Sequence, residues 1–518
     1  MARLHEYQGK AILAANGFKI PRGRAASTAD DAVTAAKELA GGKKGTEVVV
    51  KIQAWTTGRA GIGGVMFAKR PDDVRGHAAR MLDMKVGQFP VEAVLVEEKI
   101  AIEREFFLSF AIDDAARAPV IIFAAGGGTG IEERAASTRR IACDVKQGPL
   151  ESAVGEAAAS YGLTTEHAMQ LAESIKKLFA AARSVEARSL EINPLVLTKE
   201  GEFVAADCRI TIDDYAVARH PELGIEIARE FDHPPTALER VAYAAEQSDH
   251  RGTFYFAQLA TAAAKDSKGL VGFHGAGGGG SMMSMDAIVN AGFTIANFTD
   301  TSGNPSASKV YRASRIILAQ PGLVGYFGSG SGVASQEQYW SAYGLAKAFW
   351  ELDLDIPAVI RLGGNTEDRA VDILQRMSGL LRAPVEGYRK SDAPAMIAER
   401  FAELVAAAGT GAAKWKPRAP RLSEFVKNPT ATMIPVKGGR VWIDTAKWPE
   451  IRRAVETHSG GLIVDRAGKP VAALPTEEFA NKDSELLACD VECRLAEVEG
   501  FYLELDIPGL GEVIGGAR

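Results

Sequence analysis

The sequence predicts an α/β protein, and three observations carry that prediction. Strand-like and helix-like segments alternate for most of the chain. Two glycine-rich runs, Gly126-Gly127-Gly128-Thr129-Gly130 and Gly275-Ala276-Gly277-Gly278-Gly279-Gly280, each close an apolar strand. Past Gly411 the texture changes to short strand-like runs, which reads as a small α+β appendix.

Taken in order, Ala29 to Ala40 is predicted as a helix capped by Ser27 or Thr28, with acids in its first turn. Glu47 to Gln53 is a strand, as are Val94 to Glu98, Glu105 to Ile112 and Pro119 to Ala125. A long helix over about Glu166 to Arg183 leads into a hairpin. Asp232-His233-Pro234-Pro235 marks a break. Beyond it, strands at Leu270 to His274, Thr294 to Phe298, Leu323 to Phe327 and Ala358 to Leu362 alternate with helices from about Met283 and over Ser308 to Ala319. That is the pattern of a doubly wound parallel sheet. Lys414 to Pro420 reads as a linker, followed by runs at Arg440 to Ile443, Gly461 to Asp465 and Phe501 to Leu505.

The chain has 518 residues, enough for two to four domains, with 47% hydrophobic and 24% charged residues, as in ordinary water-soluble proteins. A net charge of −6 argues against a nucleic-acid-coating surface. No apolar run reaches bilayer length, and the start, Met1-Ala2-Arg3-Leu4-His5-Glu6, is not that of a signal peptide. Four scattered cysteines make no disulfide framework or zinc site. The expectation is a cytoplasmic protein that binds neither membrane nor nucleic acid.

The most informative segment is the hairpin Ser189 to Asp207. Its first strand is apolar except for Glu191 and Asn193, two apart and so on one face. Folding about Glu200, with Gly201 in the turn, sets Asn193 opposite Asp207, with Cβ atoms roughly 5 Å apart. Glu191, Asn193 and Asp207 then offer hard oxygen donors, the kind Mg²⁺ takes when it also holds phosphates. A half-buried hairpin with polar residues facing water would show the same pattern without a metal. Lys51 sits at the end of the apolar strand Val48-Val49-Val50-Lys51-Ile52, where a Lys either finds an anion or snorkels beside a flexible hairpin. The glycine-rich stretch Thr56 to Gly64 follows and could close over phosphates with backbone N–H groups. Glu97 and Glu98, ending a strand, and Glu105, opening the next, add acids nearby.

Strand Lys, glycine-rich loop, acidic strand end and late acid/amide/acid hairpin come in the order of an ATP-grasp nucleotide site. With Leu4-His5-Glu6-Tyr7-Gln8-Gly9-Lys10, Ala296-Asn297-Phe298-Thr299-Asp300 and Val359-Ile360-Arg361-Leu362-Gly363-Gly364-Asn365, the chain resembles the β subunit of succinyl-CoA synthetase over about Met1 to Thr410. The resemblance implies an ATP-grasp domain over 1–240 and a flavodoxin-like doubly wound CoA-ligase-type domain over 266–412; the α+β extension over 421–518, of open role, lies outside it. It implies Mg²⁺ and ATP, with Lys51, Gly58, Arg59, Ala60, Glu97 and Glu105 at the nucleotide and Asn193 and Asp207 on the metal. Glu191 is placed where it can steady a phosphorylated His carried by an α-type, CoA-binding partner. The implied product is an acyl-CoA from a small carboxylic acid, made by an αβ or α2β2 assembly. None of the eight His residues here lies in a recognisable phosphohistidine loop.

The chain departs from the family pattern at several points. The phosphate loop reads Gly58-Arg59-Ala60-Gly61, one positive charge short of the family's Gly-Arg-Gly-Lys. In the second domain His274 stands in place of the usual Asn. Thr301 to Ser306 replaces a triple glycine, and Phe327-Gly328-Ser329-Gly330-Ser331-Gly332-Val333 lacks the family's Arg. Amides and guanidiniums are natural carboxylate binders, so the acid stays open among succinate, malate, citrate and less polar carboxylates. Gly275, Asn304 and Gly332 mark the expected acid site. The alternatives are a citrate- or malate–CoA ligase large subunit, as Ser302-Gly303-Asn304-Pro305 suggests, a carboxylate–amine ATP-grasp ligase, and a non-catalytic subunit. Gly275-x-Gly277-x-x-Gly280 with Asp300 also matches a dinucleotide fingerprint, a rival reading of that loop.

Overall fold

The computed structural model describes residues 2–41, 46–56, 58–127, 138–159, 161–229, 231, 233–247, 253–330, 332, 334–409, 415–436, 438–451, 462–464, 470–473 and 482–516. The chain forms two compact units, Met1–Pro234 and Pro235–Arg518, divided inside the proline pair of the expected break.

In the first unit, among the described residues, a four-stranded antiparallel sheet runs Gly23–Ala26, Val94–Glu98, Val48–Ile52, Val65–Ala68. Strand period decides its two faces. Val48, Val50, Ile52, Val94 and Val96 are buried in one core cluster with Ala32 and Val33 of the helix Ala29–Ala40 and with Val74, Ala78 and Met81 of the helix Pro71–Leu82. Lys51 and Glu97, out of phase with those valines, project from the opposite face. Thr28 caps the first helix, its hydroxyl accepting from the Asp31 N–H at 3.1 Å.

An eight-stranded sheet completes the unit, with Ala187–Thr198 between Ile102–Asp113 and Arg209–Ile212 and paired at its end with Phe203–Ala205. The hairpin register, Leu195↔Ala205, Val196↔Val204 and Leu197↔Phe203, is the one read from the sequence. Gly201 supplies the turn with φ +80°. The Ala206 N–H donates to the Pro194 carbonyl at 3.1 Å, so the next position in that register is Asn193 with Asp207.

Against Ile102–Asp113 the register slips by one between Ile192 and Leu195. Leu190, Ile192 and Leu195 pair with Phe110, Leu108 and Phe106, and all six are buried. The slip therefore keeps one apolar face continuous on both sides of Asn193-Pro194. Glu191, opposite Ser109, and Glu105, opposite Val196, fall on the other face.

The second unit holds a sheet in the order Tyr255–Gln258, Asn297–Asp300, Leu270–Ala276, Leu323–Gly330, Ala358–Arg361, Val385–Tyr388, parallel except for its first pair. Numbered from Leu270, the parallel strands run 2-1-3-4-5, the flavodoxin-like doubly wound order. The helices Ala307–Ile317, Tyr339–Glu351 and Glu367–Ser378 supply much of its main core.

Two expectations shift. The helix expected from Met283 begins at Gly278, through glycines that propensity disfavours in a helix. The expected linker is pinned over its described part: Trp415 is buried, its indole N–H donating to the Leu318 carbonyl at 2.6 Å.

The C-terminal residues cluster with this unit rather than apart from it. A three-stranded sheet, Ala431–Val436, Gly439–Asp444 and Phe501–Leu505, accompanies the helix Lys482–Leu495. Leu486, Leu487, Val491, Val441, Ile443 and Leu503 join the same core cluster as the parallel-sheet helices. Residues 461 and 465 of the expected strand there lie outside the described residues.

Candidate functional site

The first unit gathers six buried or half-buried charges from five chain segments. Glu6 Oε1 accepts from Lys51 Nζ at 2.9 Å and pairs with Lys10 Nζ at 2.8 Å, while Glu6 Oε2 accepts from Arg59 Nη1 at 2.6 Å. Glu97 pairs with Lys10 through Oε1 at 2.5 Å and with Lys51 through Oε2 at 2.9 Å. Arg59 Nη2 donates to Asp207 Oδ2 at 2.7 Å. The ammonium of Lys51 also reaches the Ala206 carbonyl at 2.8 Å, tying the strand to the hairpin's return arm.

Exposure sorts these groups into two layers. The side chains of Glu6, Lys10 and Glu97 are 2%, 3% and 2% exposed, whereas those of Lys51, Arg59 and Asp207 are 13%, 12% and 31% exposed. Three cations balance three carboxylates, as burial of charge requires. Burial alone would raise the Glu6 pKa, but Lys51, Lys10 and Arg59 outweigh it and hold the carboxyl well below its ordinary range. Burial likewise opposes the charge on Lys51 and on Arg59. Glu6 leads the carboxylates that overcome it and push both groups up, Glu97 and Asp207 assisting at Lys51 and Asp207 at Arg59. Asp207 is pushed up, first by burial and then by Glu6, against the pull of Arg59 and Lys51.

The loop that carries Arg59, Asp207's partner, is built from tight turns. Gly61 N–H donates to the Gly58 carbonyl, Gly63 N–H to that of Ala60 and Gly64 N–H to that of Arg59. Gly58 and Ala60 thus shape the segment that aims Arg59. Glu97, expected at the nucleotide, lies behind Lys51 with both oxygens engaged. Glu191 and Asn193 share a face, the amide Nδ2 donating to Glu191 Oε1 at 3.2 Å. Gly127, two residues past the strand Ala118–Ala125, lies close to Pro194 and Glu105: a Cβ there would lie 2.6 Å from Pro194 Cβ and 3.4 Å from Glu105 Cβ. Residues 128–130 of that glycine run lie outside the described residues.

In the second unit Gly275 stands at the carboxyl end of the strand Leu270–Ala276, paired with Ser329, in the crevice where doubly wound sheets bind ligands. Asn304 donates to Ser335 Oγ at 3.1 Å and accepts from the Gln336 N–H at 2.9 Å. Gly332, with φ +77°, packs against Gly363, while Arg361 donates to the Gly330 and Lys390 carbonyls. Ser331 and Val333 lie outside the described residues. Asp300, the acid of the dinucleotide fingerprint, spends Oδ1 on the N–H groups of Gly277 and Ser302 at 2.9 and 2.8 Å. It ties the glycine turn itself, a structural use that weighs against a ribose contact.

An ATP-grasp domain family matches residues 3–197. The β subunit of the ADP-forming succinate–CoA ligase of Rubrobacter xylanophilus is 33% identical over 376 residues, 72% of this chain and 92% of its own. The GDP-forming β subunit of Thermus thermophilus is also 33% identical, over 72% of this chain and 93% of its own. This chain belongs to the succinate–CoA ligase β-subunit family. ATP citrate lyase of Methanothrix soehngenii, solved with citrate and coenzyme A, shares the fold: TM-score 0.63, 18% identity, 77% of this chain and 99% of that one.

Within this ligase β subunit, sequence reasoning left the parts played by Glu6 and Lys10 unread. A signal was present. The helix Glu6–Ala15 buries Glu6, Gly9, Lys10 and Leu13, the helical stripe that ordinarily holds apolar residues. Two opposite charges at i and i+4 within such a stripe point to a buried ionic centre.

Proposed function

We propose that this chain is the nucleotide-binding β-type subunit of an acid–CoA ligase that forms acyl-CoA, ADP and phosphate from a carboxylate, ATP and CoA, through a phosphohistidine on an α-type partner. The observation that carries the reading is the front layer of the charge cluster. Two cations, Lys51 and Arg59, keep a small exposed fraction near the carboxylate of Asp207 and are held by the buried carboxylates of Glu6 and Glu97. Phosphoryl transfer is largely a matter of positioning and charge neutralisation, and these side chains offer both.

The donors suit Mg²⁺. Asp207 contributes a carboxylate and Asn193 an amide oxygen, both hard ligands. Asp207 Oδ2 takes one bond from Arg59 and Oδ1 one from the Cys208 N–H, and a carboxylate oxygen accepts more than one. Among the described residues no group of three or more His, Cys, Asp or Glu forms a metal cage, so phosphate oxygens and water would complete the ion's shell. Held by Asn193 and Asp207, such an ion would supply neutralisation of the phosphate charge. Lys51 and Arg59 orient the same phosphates, and Glu191 receives the partner's histidine. Gly275, Asn304 and Gly332 border the acid.

The test is a carboxylate panel of succinate, malate, citrate and a monocarboxylate, assayed with the chain joined to its α-type partner, ATP and CoA. Acyl-CoA formation that needs both subunits is the expected result. Ligation of an amine by the isolated chain would favour a carboxylate–amine ligase instead. Failure to bind Mg-ATP in calorimetry would favour a non-catalytic subunit.

A further inference from the structure

We infer that Glu6 is a positioning residue for the nucleotide: its single carboxylate sets Lys51 and Arg59 in register with each other. The inference rests on the nucleotide reading of those two cations.

Among the described residues, Glu6 is the carboxylate that pairs with both. Asp207 pairs with Arg59, and Glu97 pairs with Lys51 and Lys10. Glu6 gives Oε1 to Lys51 and Oε2 to Arg59, so its two oxygens fix the spacing of two groups that come from a strand and from a loop. At 2% exposure it lies behind the cations it holds and acts on a ligand through them.

The helix that carries Glu6 is itself docked at three points. The Leu4 N–H donates to the Ile210 carbonyl at 3.2 Å, and the Tyr7 N–H to Gln53 Oε1 at 3.2 Å. A Cβ on Gly9 would lie 2.7 Å from Cys208 Sγ, so glycine lets the helix seat against the segment carrying Asp207. Glu6 therefore reports the position of Asp207 as well as that of Lys51. Without it, Lys51 would lean on Glu97 and Arg59 on Asp207. The phosphate cradle would open, and the guanidinium would compete harder for the proposed metal ligand.

The experiment compares Glu6→Gln, Glu6→Asp and Lys51→Gln in the full chain with its partner. Mg-ADP is titrated by calorimetry, KM and kcat are measured for nucleotide, and folding is checked by thermal melting. Loss of one charge-assisted contact is expected to weaken Mg-ADP about tenfold or more in Glu6→Gln, with KM for nucleotide rising more than kcat falls. Glu6→Asp keeps the charge but is a methylene too short to span both cations, so it is expected to weaken binding while melting near wild type. It carries the test alone if Glu6→Gln does not fold. Wild-type binding by Glu6→Asp, with binding lost in Lys51→Gln, overturns the role of Glu6 and leaves the nucleotide reading standing. Wild-type binding by Lys51→Gln overturns that reading and, with it, this inference.

Discussion

The imidazole of His274 is buried between the Tyr326 hydroxyl, 2.6 Å from Nδ1, and the Thr301 hydroxyl, 3.0 Å from Nε2. Burial pushes its pKa down to about 3, from 6.5 in the unfolded chain. Below pH 6.5 the unfolded chain takes up a proton that the native protein refuses, so stability falls as pH drops towards 3. At pH 5 the residue costs about 2 kcal/mol relative to neutral pH. His274→Asn removes that dependence. Urea unfolding at pH 7 and pH 5 should show wild type losing about 2 kcal/mol more than the variant, and equal losses would contradict the account.

Single residues were legible where the sequence made them anomalous. Lys51 stood out because an apolar strand has no place for an unpaired ammonium. Glu6 did not, because a Glu in the first turn of a helix is ordinary favourable placement. Its burial follows from docking against segments up to two hundred residues away, which no local pattern reveals.

At the scale of elements, the helix Lys482–Leu495 is locked to the helices of the parallel sheet by a second buried ionic network. Lys347 Nζ pairs with Asp490 Oδ2 at 2.5 Å and with Glu351 Oε1 at 2.8 Å, all three groups fully buried. The Tyr502 hydroxyl donates to Glu351 Oε1 at 2.9 Å, and the Leu503 N–H to Asp490 Oδ2 at 2.9 Å. Removing one partner strands a buried charge. Asp490→Asn should therefore cost about 3 kcal/mol, and Lys347→Met added to it should restore part of the loss. A double variant whose loss equals the sum of the two single losses would show that the pair is not coupled.

This network helps explain why the C-terminal residues, read as an appendix, cluster with the second unit: Lys347 and Asp490 are 143 positions apart and Glu351 and Tyr502 are 151 apart, in no repeating pattern. The strands Val48–Ile52, Val94–Glu98 and Ala118–Ala125, and the helix Ala29–Ala40 with its Thr28 cap, were read to within a residue, whereas Ile102–Asp113 begins three residues before its expected start and Leu323–Gly330 runs three past its expected end. The start of the helix at Gly278 was not, because its glycines carry no periodic signal and tertiary packing overrode their propensity.

At the scale of the whole molecule, membership of a ligase β-subunit family implies a separate α subunit. The six charges proposed to handle the nucleotide all lie within Met1–Pro234, and Gly275 lies at the carboxyl end of its strand in the doubly wound sheet. The nature of the fold and the nucleotide half were open to sequence reasoning because strand Lys, glycine loop and hairpin occur in a fixed order. The acid was not: around the residues proposed to border it, Asn304 bonds to Ser335 and Gln336 in a way no local pattern reveals.

The central claim is that this chain delivers phosphate from Mg-ATP to a histidine on another subunit. The most direct measurement is transfer of label from γ-labelled ATP in the reconstituted pair, with wild type and Asp207→Ala side by side. The account predicts acid-labile label on the partner with wild type, and label reduced at least a hundredfold, on the order of one lost catalytic charge, with Asp207→Ala. Undiminished labelling by the variant, or label that appears on this chain alone, would contradict it.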